Sequence, residues 1–123
     1  MPVLGYWSLR ALAEPIRTLL TYTGTQYEDK TYDIGPAPAY DRSEWFNVKF
    51  SLGLDLPNLP YYIDGDVKLT ESSAIIRHLG RKTGLAGATE QEKMRIDVAE
   101  SLYADQTGSF VRLIISPNYV SMD

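Results

Sequence analysis

Tyr6 stands near the end of a short apolar run, Leu4-Gly5-Tyr6-Trp7, just before an amphipathic stretch. A phenol at such a junction is either packing or a hydrogen-bond donor aimed at a ligand. Arg42, Trp45 and Lys49 follow one another at intervals of 3 and 4. On a helix that spacing puts two cations and an indole N–H on one face, which is either a solvated face with a cation–π contact or a seat for a carboxylate. Asn58-Leu59-Pro60 sets an X-Pro bond before a β-rich run. A cis bond there turns the N–H and C=O of Leu59 outward as an open edge for an extended peptide, whereas the bland reading of Pro60 is that it only starts a strand. Glu71 and Ser72 open a helix, where free N–H groups and the helix dipole favour an anion and where serine is also an ordinary N-cap. Asp105 is one polar residue among several on a long helical stretch, solvated by default. His78, the only histidine, has no carboxylate or second histidine at ligand spacing, which argues against a metal site.

The elements that must position these groups are punctuated by Gly and Pro. Residues 2–7 read as a short buried strand, after which Leu12, Ile16, Leu19, Leu20 and Thr23 recur at helical spacing until Gly24 supplies a left-handed stop. Pro15 then falls in the first turn, where a missing N–H does no harm. Residues 26–34 alternate Tyr27, Asp29, Thr31 and Asp33 with Glu28, Lys30, Tyr32 and Ile34, the period of a strand. A Pro/Gly loop turns into a short helix near Ser43. "LPYYID", "GD" and "VKLT" form a hairpin, and Ser72 to Thr83 a helix with Ala74, Ile75 and Leu79 inward. This order predicts a thioredoxin-like α/β domain over residues 1–83, a mixed four-stranded sheet with flanking helices. Residues 84–89 read as a small-residue linker. Thr89 and Glu92 have capping-box spacing and start a long helix reaching Ile115, with two apolar faces, before Ser116-Pro117 stops it. Residues 90–123 therefore read as the start of an incomplete helical second domain.

Composition narrows the class. A chain with 44% hydrophobic residues and a net charge of −4 fits an ordinary globular protein rather than a nucleic-acid binder. Without cysteine there is no disulfide framework and no redox dithiol, which argues strongly against a third reading, a thioredoxin-type oxidoreductase. No stretch holds the roughly 18 apolar residues of a membrane span and no basic-then-apolar leader is present, so a cytoplasmic location is expected.

Each candidate group is weak alone, yet all suit one ligand: an extended peptide with a carboxylate at each end and a reactive group in the middle. The stretches "LGYW", "APAYDRSEW", "LGLDLPNLPYYIDG" and "ESSAIIRHLGRK" together resemble the N-terminal domain of a Mu-class glutathione S-transferase, and the helix from Thr89 to Ile115 resembles the first helix of that family's C-terminal domain. The resemblance implies a detoxifying transferase that joins glutathione to hydrophobic electrophiles, with glutathione as co-substrate, no cofactor, and a homodimeric assembly. It implies that Tyr6 donates to the glutathione sulfur and that Trp7, Arg42, Trp45 and Lys49 hold the glycyl end. Asn58 and Leu59, before a cis Pro60, would bind the cysteinyl main chain, Glu71 and Ser72 the γ-glutamyl group, and Asp105 the ammonium of a ligand in the partner subunit. The alternative is a catalytically inactive short form that binds glutathione or dimerises. The sequence departs from the Mu pattern at Glu71, where that pattern has Gln, and at Leu56, where it has a bulky Phe that inserts into the partner. The family also continues for about as long again beyond the position of Asp123.

Overall fold

The computed structural model describes residues 1–116. The chain divides into two compact units, Met1–Thr83 and a second beginning at Gly84. In the first, strands β1 (Val3–Trp7), β2 (Glu28–Tyr32), β3 (Tyr61–Asp64) and β4 (Val67–Thr70) form one sheet in the order β2-β1-β3-β4. β1 and β2 are parallel, while β3 runs antiparallel to both β1 and β4. This is the thioredoxin-like arrangement. The parallel pair needs a crossover, supplied by a 3-10 turn (Ala11–Ala13) and α1 (Glu14–Tyr22); the antiparallel pair needs only the Gly65-Asp66 turn.

The pleat divides the core in two. Leu4 and Tyr62 face α1 and α3 (Ser72–Lys82), burying against Ile16, Leu20, Ile75 and Leu79. The next residue along β3, Tyr61, points the other way, as strand geometry requires, and joins Tyr6, Tyr32, Leu54, Leu59 and Trp45 of α2 (Ser43–Phe46). Arg17 ties the crossover down, donating to Asp29 at 2.9 Å, to the Leu9 carbonyl at 3.0 Å and to Glu14 at 3.3 Å.

Three local expectations are corrected. Leu12 does not extend the apolar face of α1; it lies half-exposed in the 3-10 turn, and Ala13, Ile16 and Leu20 are the buried positions. β2 is shorter than residues 26–34, and of its five residues only Tyr32 is buried, because β2 is an edge strand. Ser72 is not the N-cap of α3: Glu71 occupies that position and makes no side-chain cap bond.

The second unit contains α4 (Glu90–Ile114). Its start is a complete capping box: Thr89 accepts from the Glu92 N–H at 3.1 Å, and the Glu92 carboxylate accepts from the Thr89 N–H at 3.1 Å. No residue of α4 is buried. The expected stop at Ser116-Pro117 lies partly outside the described residues. Among those described, no helix is long and apolar enough to cross a membrane and no group of acidic or histidine side chains could hold a metal.

Candidate functional site

Register brings Tyr6, Trp7, the segment before Tyr61 and the Glu71-Ser72 join to one edge of the sheet. Trp7 pairs with Tyr32, so parallel β1 and β2 end together. Gly5 pairs with Tyr61, and Tyr61 with Thr70, so β3 begins and β4 ends at that same edge. Tyr6-Trp7, the segment before Tyr61, and the Glu71-Ser72 join of β4 to α3 are therefore neighbours by topology, although long stretches of chain separate them. The carboxyl end of parallel strands is where open α/β sheets usually place ligands.

Loops at this edge are held by a relay. Ser8 N–H donates to the Tyr32 carbonyl at 2.8 Å and Ser8 Oγ to Asp33 at 2.5 Å. The Asp33 N–H then donates to Glu44 of α2 at 2.8 Å. Further along, Asp41 accepts from the N–H and hydroxyl of Ser43, both at 2.9 Å, and these donors hold its carboxyl below the usual carboxylate range. Sequence reasoning did not single out Ser8, Asp33 or Glu44; their polar types at exposed positions are indistinguishable from solvated surface until the register is known.

Tyr6 is 6% exposed and packs in the cluster with Ala13, Trp45 and Leu59, against which Trp7 also lies. Trp45 is 2% exposed, its ring stacked 6.0 Å from Tyr61 and edge-on to Tyr32 at 5.4 Å. The expectation of an indole on a helix face shared with Arg42 and Lys49 is thus corrected. α2 is a single turn, its tryptophan is core, Arg42 precedes it with non-helical backbone, and Lys49 follows it. Lys49 lies over the rings of Phe46 and Phe50 at 5.6 and 5.5 Å. Among the described residues, the fully buried side-chain polar atom without a partner is His78 Nε2. The rings of Tyr6 and Trp45 are packed, and neither donor is a fully buried, unpartnered atom of that kind.

Leu59–Pro60 is a cis peptide bond. The Leu59 N–H is not open, however, because it donates to the Asn58 side-chain oxygen at 2.9 Å. A short amide side chain can occupy a neighbouring backbone N–H in this way, and a peptide ligand would have to replace it. At the start of α3, Glu71 is exposed with φ +73° and ψ 115°. This left-handed conformation costs a non-glycine residue about 1–3 kcal/mol and is characteristic of ligand clamps. No side chain caps α3, so its first N–H groups and the positive end of its dipole face the junction, an arrangement suited to a carboxylate. Asp105 is exposed on α4, in the second unit.

Comparison with known proteins places the chain in a family. Residues 2–81 match the family model "Glutathione S-transferase, N-terminal domain". A glutathione S-transferase of Dermatophagoides pteronyssinus is 55% identical over 117 residues, which cover 95% of this chain and 53% of that protein. Glutathione S-transferase Mu 1 of Oryctolagus cuniculus is 54% identical over 120 residues, covering 97% of this chain and 55% of the rabbit protein. The crystal structure of the glutathione S-transferase Blo t 8 superposes with a TM-score of 0.83 at 37% identity, over 93% of this chain and 50% of that one. The chain thus spans about half the length of the relatives it matches. With that family model matched over residues 2–81, on a four-stranded sheet in the order β2-β1-β3-β4, the chain belongs to the glutathione S-transferase family.

Proposed function

We propose that this chain binds glutathione along the sheet edge and is part of a transferase that joins the glutathione sulfur to hydrophobic electrophiles. The observation that carries the reading is the register, which gathers Tyr6, the Asn58-Leu59-Pro60 segment and the Glu71-Ser72 helix start at one edge. In this reading the cysteinyl main chain lies extended against Leu59, exchanging its hydrogen bonds for the one Asn58 now makes. The γ-glutamyl carboxylate sits at the start of α3 near Ser72, and the Glu71 carboxylate faces the ligand's ammonium. Arg42, with the indole N–H of Trp45 and with Trp7 and Lys49, takes the glycyl carboxylate; Lys49 leaves its phenylalanine rings to do so.

Tyr6 supplies the chemistry. A thiol is mostly protonated at neutral pH, and the thiolate is the nucleophile. A phenolic hydrogen bond that favours the thiolate by about 2 pKa units supplies about 2.7 kcal/mol. The ionised sulfur then displaces a leaving group from, or adds to, an electrophilic carbon. No cofactor is needed for that step. We extend the reading to a cytoplasmic, detoxifying homodimer in which Asp105 reaches the ammonium of glutathione bound by the partner subunit. Calorimetric titration of the folded chain with glutathione tests the first step. Uptake at or below millimolar concentration supports it, and no uptake there counts decisively against it.

A further inference from the structure

The face of the sheet that carries α2 holds a second feature, which the glutathione reading does not use. Tyr61 and Tyr32 are both buried, and their hydroxyl oxygens lie 2.9 Å apart. Two phenols carry two O–H donors, and the bond between them consumes one. Among the described residues no acceptor takes the other. Burial, followed by the hydrogen bond to Tyr32, raises the Tyr61 pKa, so the proton stays on.

Both rings line an open cavity of about 530 Å³, a size common among small-molecule sites. The rest of its lining is mixed: Val3, Val48 and Leu52 are apolar, and Glu28, Lys30, Glu44 and Ser51 are charged or polar. One Glu44 oxygen is already committed to the Asp33 N–H, and Lys30 lies 5.5 Å from the centre of the Tyr32 ring. The proton without a protein partner favours a ligand that carries an acceptor, which a simple cation does not. Two carboxylates against one ammonium oppose an anion. A neutral acceptor on a flat apolar body satisfies all three conditions.

From this geometry we infer that the cavity binds a small neutral aromatic molecule bearing a carbonyl, whose oxygen accepts the spare phenolic proton while its ring lies against the tyrosines and aliphatic wall. Saturation-transfer NMR on the 123-residue chain tests this with acetophenone, benzoate and benzylammonium as probes. Acetophenone is expected to receive saturation more strongly than either charged analogue and to be retained when glutathione is added in excess. The exposed-rim variant Ser51→Trp should abolish the transfer by filling the opening. The isosteric pair Tyr32→Phe/Tyr61→Phe should weaken acetophenone about fivefold, the effect of one ordinary hydrogen bond. Absent transfer to acetophenone, equal or stronger transfer to a charged probe, displacement by glutathione, or unchanged affinity in either variant would each overturn the inference. Saturation transfer to glutathione itself, read in the same samples, scores glutathione binding separately, so failure here is distinct from failure of the proposed function.

Discussion

Tyr6 and Gly5 are adjacent on β1, and substitutions there separate chemistry from packing. Tyr6→Phe keeps the ring in the cluster with Ala13, Trp45 and Leu59 and removes only the hydroxyl. The expected outcome, in a form of the protein that turns over, is slowed conjugation with glutathione affinity changed less than threefold or so, because the lost bond favours thiolate over thiol rather than peptide binding. The thiolate absorbance of bound glutathione, titrated against pH, should move its midpoint upward by about 2 units. An unchanged midpoint would assign Tyr6 to packing and remove it from the mechanism. Gly5 has a different requirement: a Cβ there would lie 2.1 Å from two atoms of the Tyr61 ring, which crosses β1 on its way to Tyr32. Gly5→Ala should therefore destabilise by about 2–3 kcal/mol, the upper part of the overpacking range. Gly24→Ala is the control, since its Cβ meets nothing within 4 Å and only its φ of +65° is strained; about 1–2 kcal/mol is expected. Urea-denaturation midpoints with equal slopes measure both, and equal losses at the two glycines would contradict the close approach of Tyr61.

At the scale of elements, legibility followed from how local each signal was. The Gly65-Asp66 hairpin, Pro15 in the first turn of α1 and the capping box of α4 are each set by residues a few positions apart, and all three could be read directly from the chain. The short helix near Ser43 is legible too, as α2, but its extent is not, because the spacing of Arg42, Trp45 and Lys49 assumes a helix longer than one turn. Helical spacing also says nothing about depth, and it is the rings of Tyr32 and Tyr61, from distant strands, that bury Trp45. In the same way the cis bond before Pro60 and the left-handed backbone of Glu71 are tertiary facts, invisible in a dipeptide. The Asn58 bond to the Leu59 N–H is local, but nothing in the residue types says that it forms in preference to an open edge. The capping box carries its own prediction. The Ala88 and Thr89 N–H groups, in that order, hold the Glu92 carboxyl below its ordinary value. Stabilisation of α4 from this source is thus complete above the unfolded carboxyl pKa of about 4.3 and is lost as pH falls through the lower folded value. Hydrogen exchange in the first turn of α4 should accelerate relative to its middle below about pH 4. Glu92→Gln should remove that pH dependence, and Thr89→Ala should weaken the cap at every pH by about 1 kcal/mol. A first turn equally protected at pH 3 and pH 7 would show that the box does not hold the helix end.

For the whole molecule, the decisive feature is the apolar side chains that α4 leaves exposed. Met94, Val98 and Leu102 mark one stripe and Phe110, Leu113 and Ile114 another, all exposed, whereas an amphipathic helix of a finished domain hides at least one. Burying each such side chain stabilises by about 1.5–3 kcal/mol, so residues 1–123 in isolation should cover these stripes with another molecule. Light scattering is expected to report dimers or larger species, dispersed by Leu102→Glu/Phe110→Glu without loss of the sheet unit's circular dichroism. The relatives are about twice as long as the segment they share with this chain. Fusing the corresponding downstream segment of a Mu-class relative should therefore have two effects at once. It should restore a monodisperse species by covering α4, and it should raise the rate with a halonitroarene electrophile by at least tenfold, because an oriented second substrate replaces chance collision with the thiolate. A monodisperse 123-residue monomer whose turnover equals that of the fusion would show that α4 needs no cover and that the sheet edge alone orients both substrates.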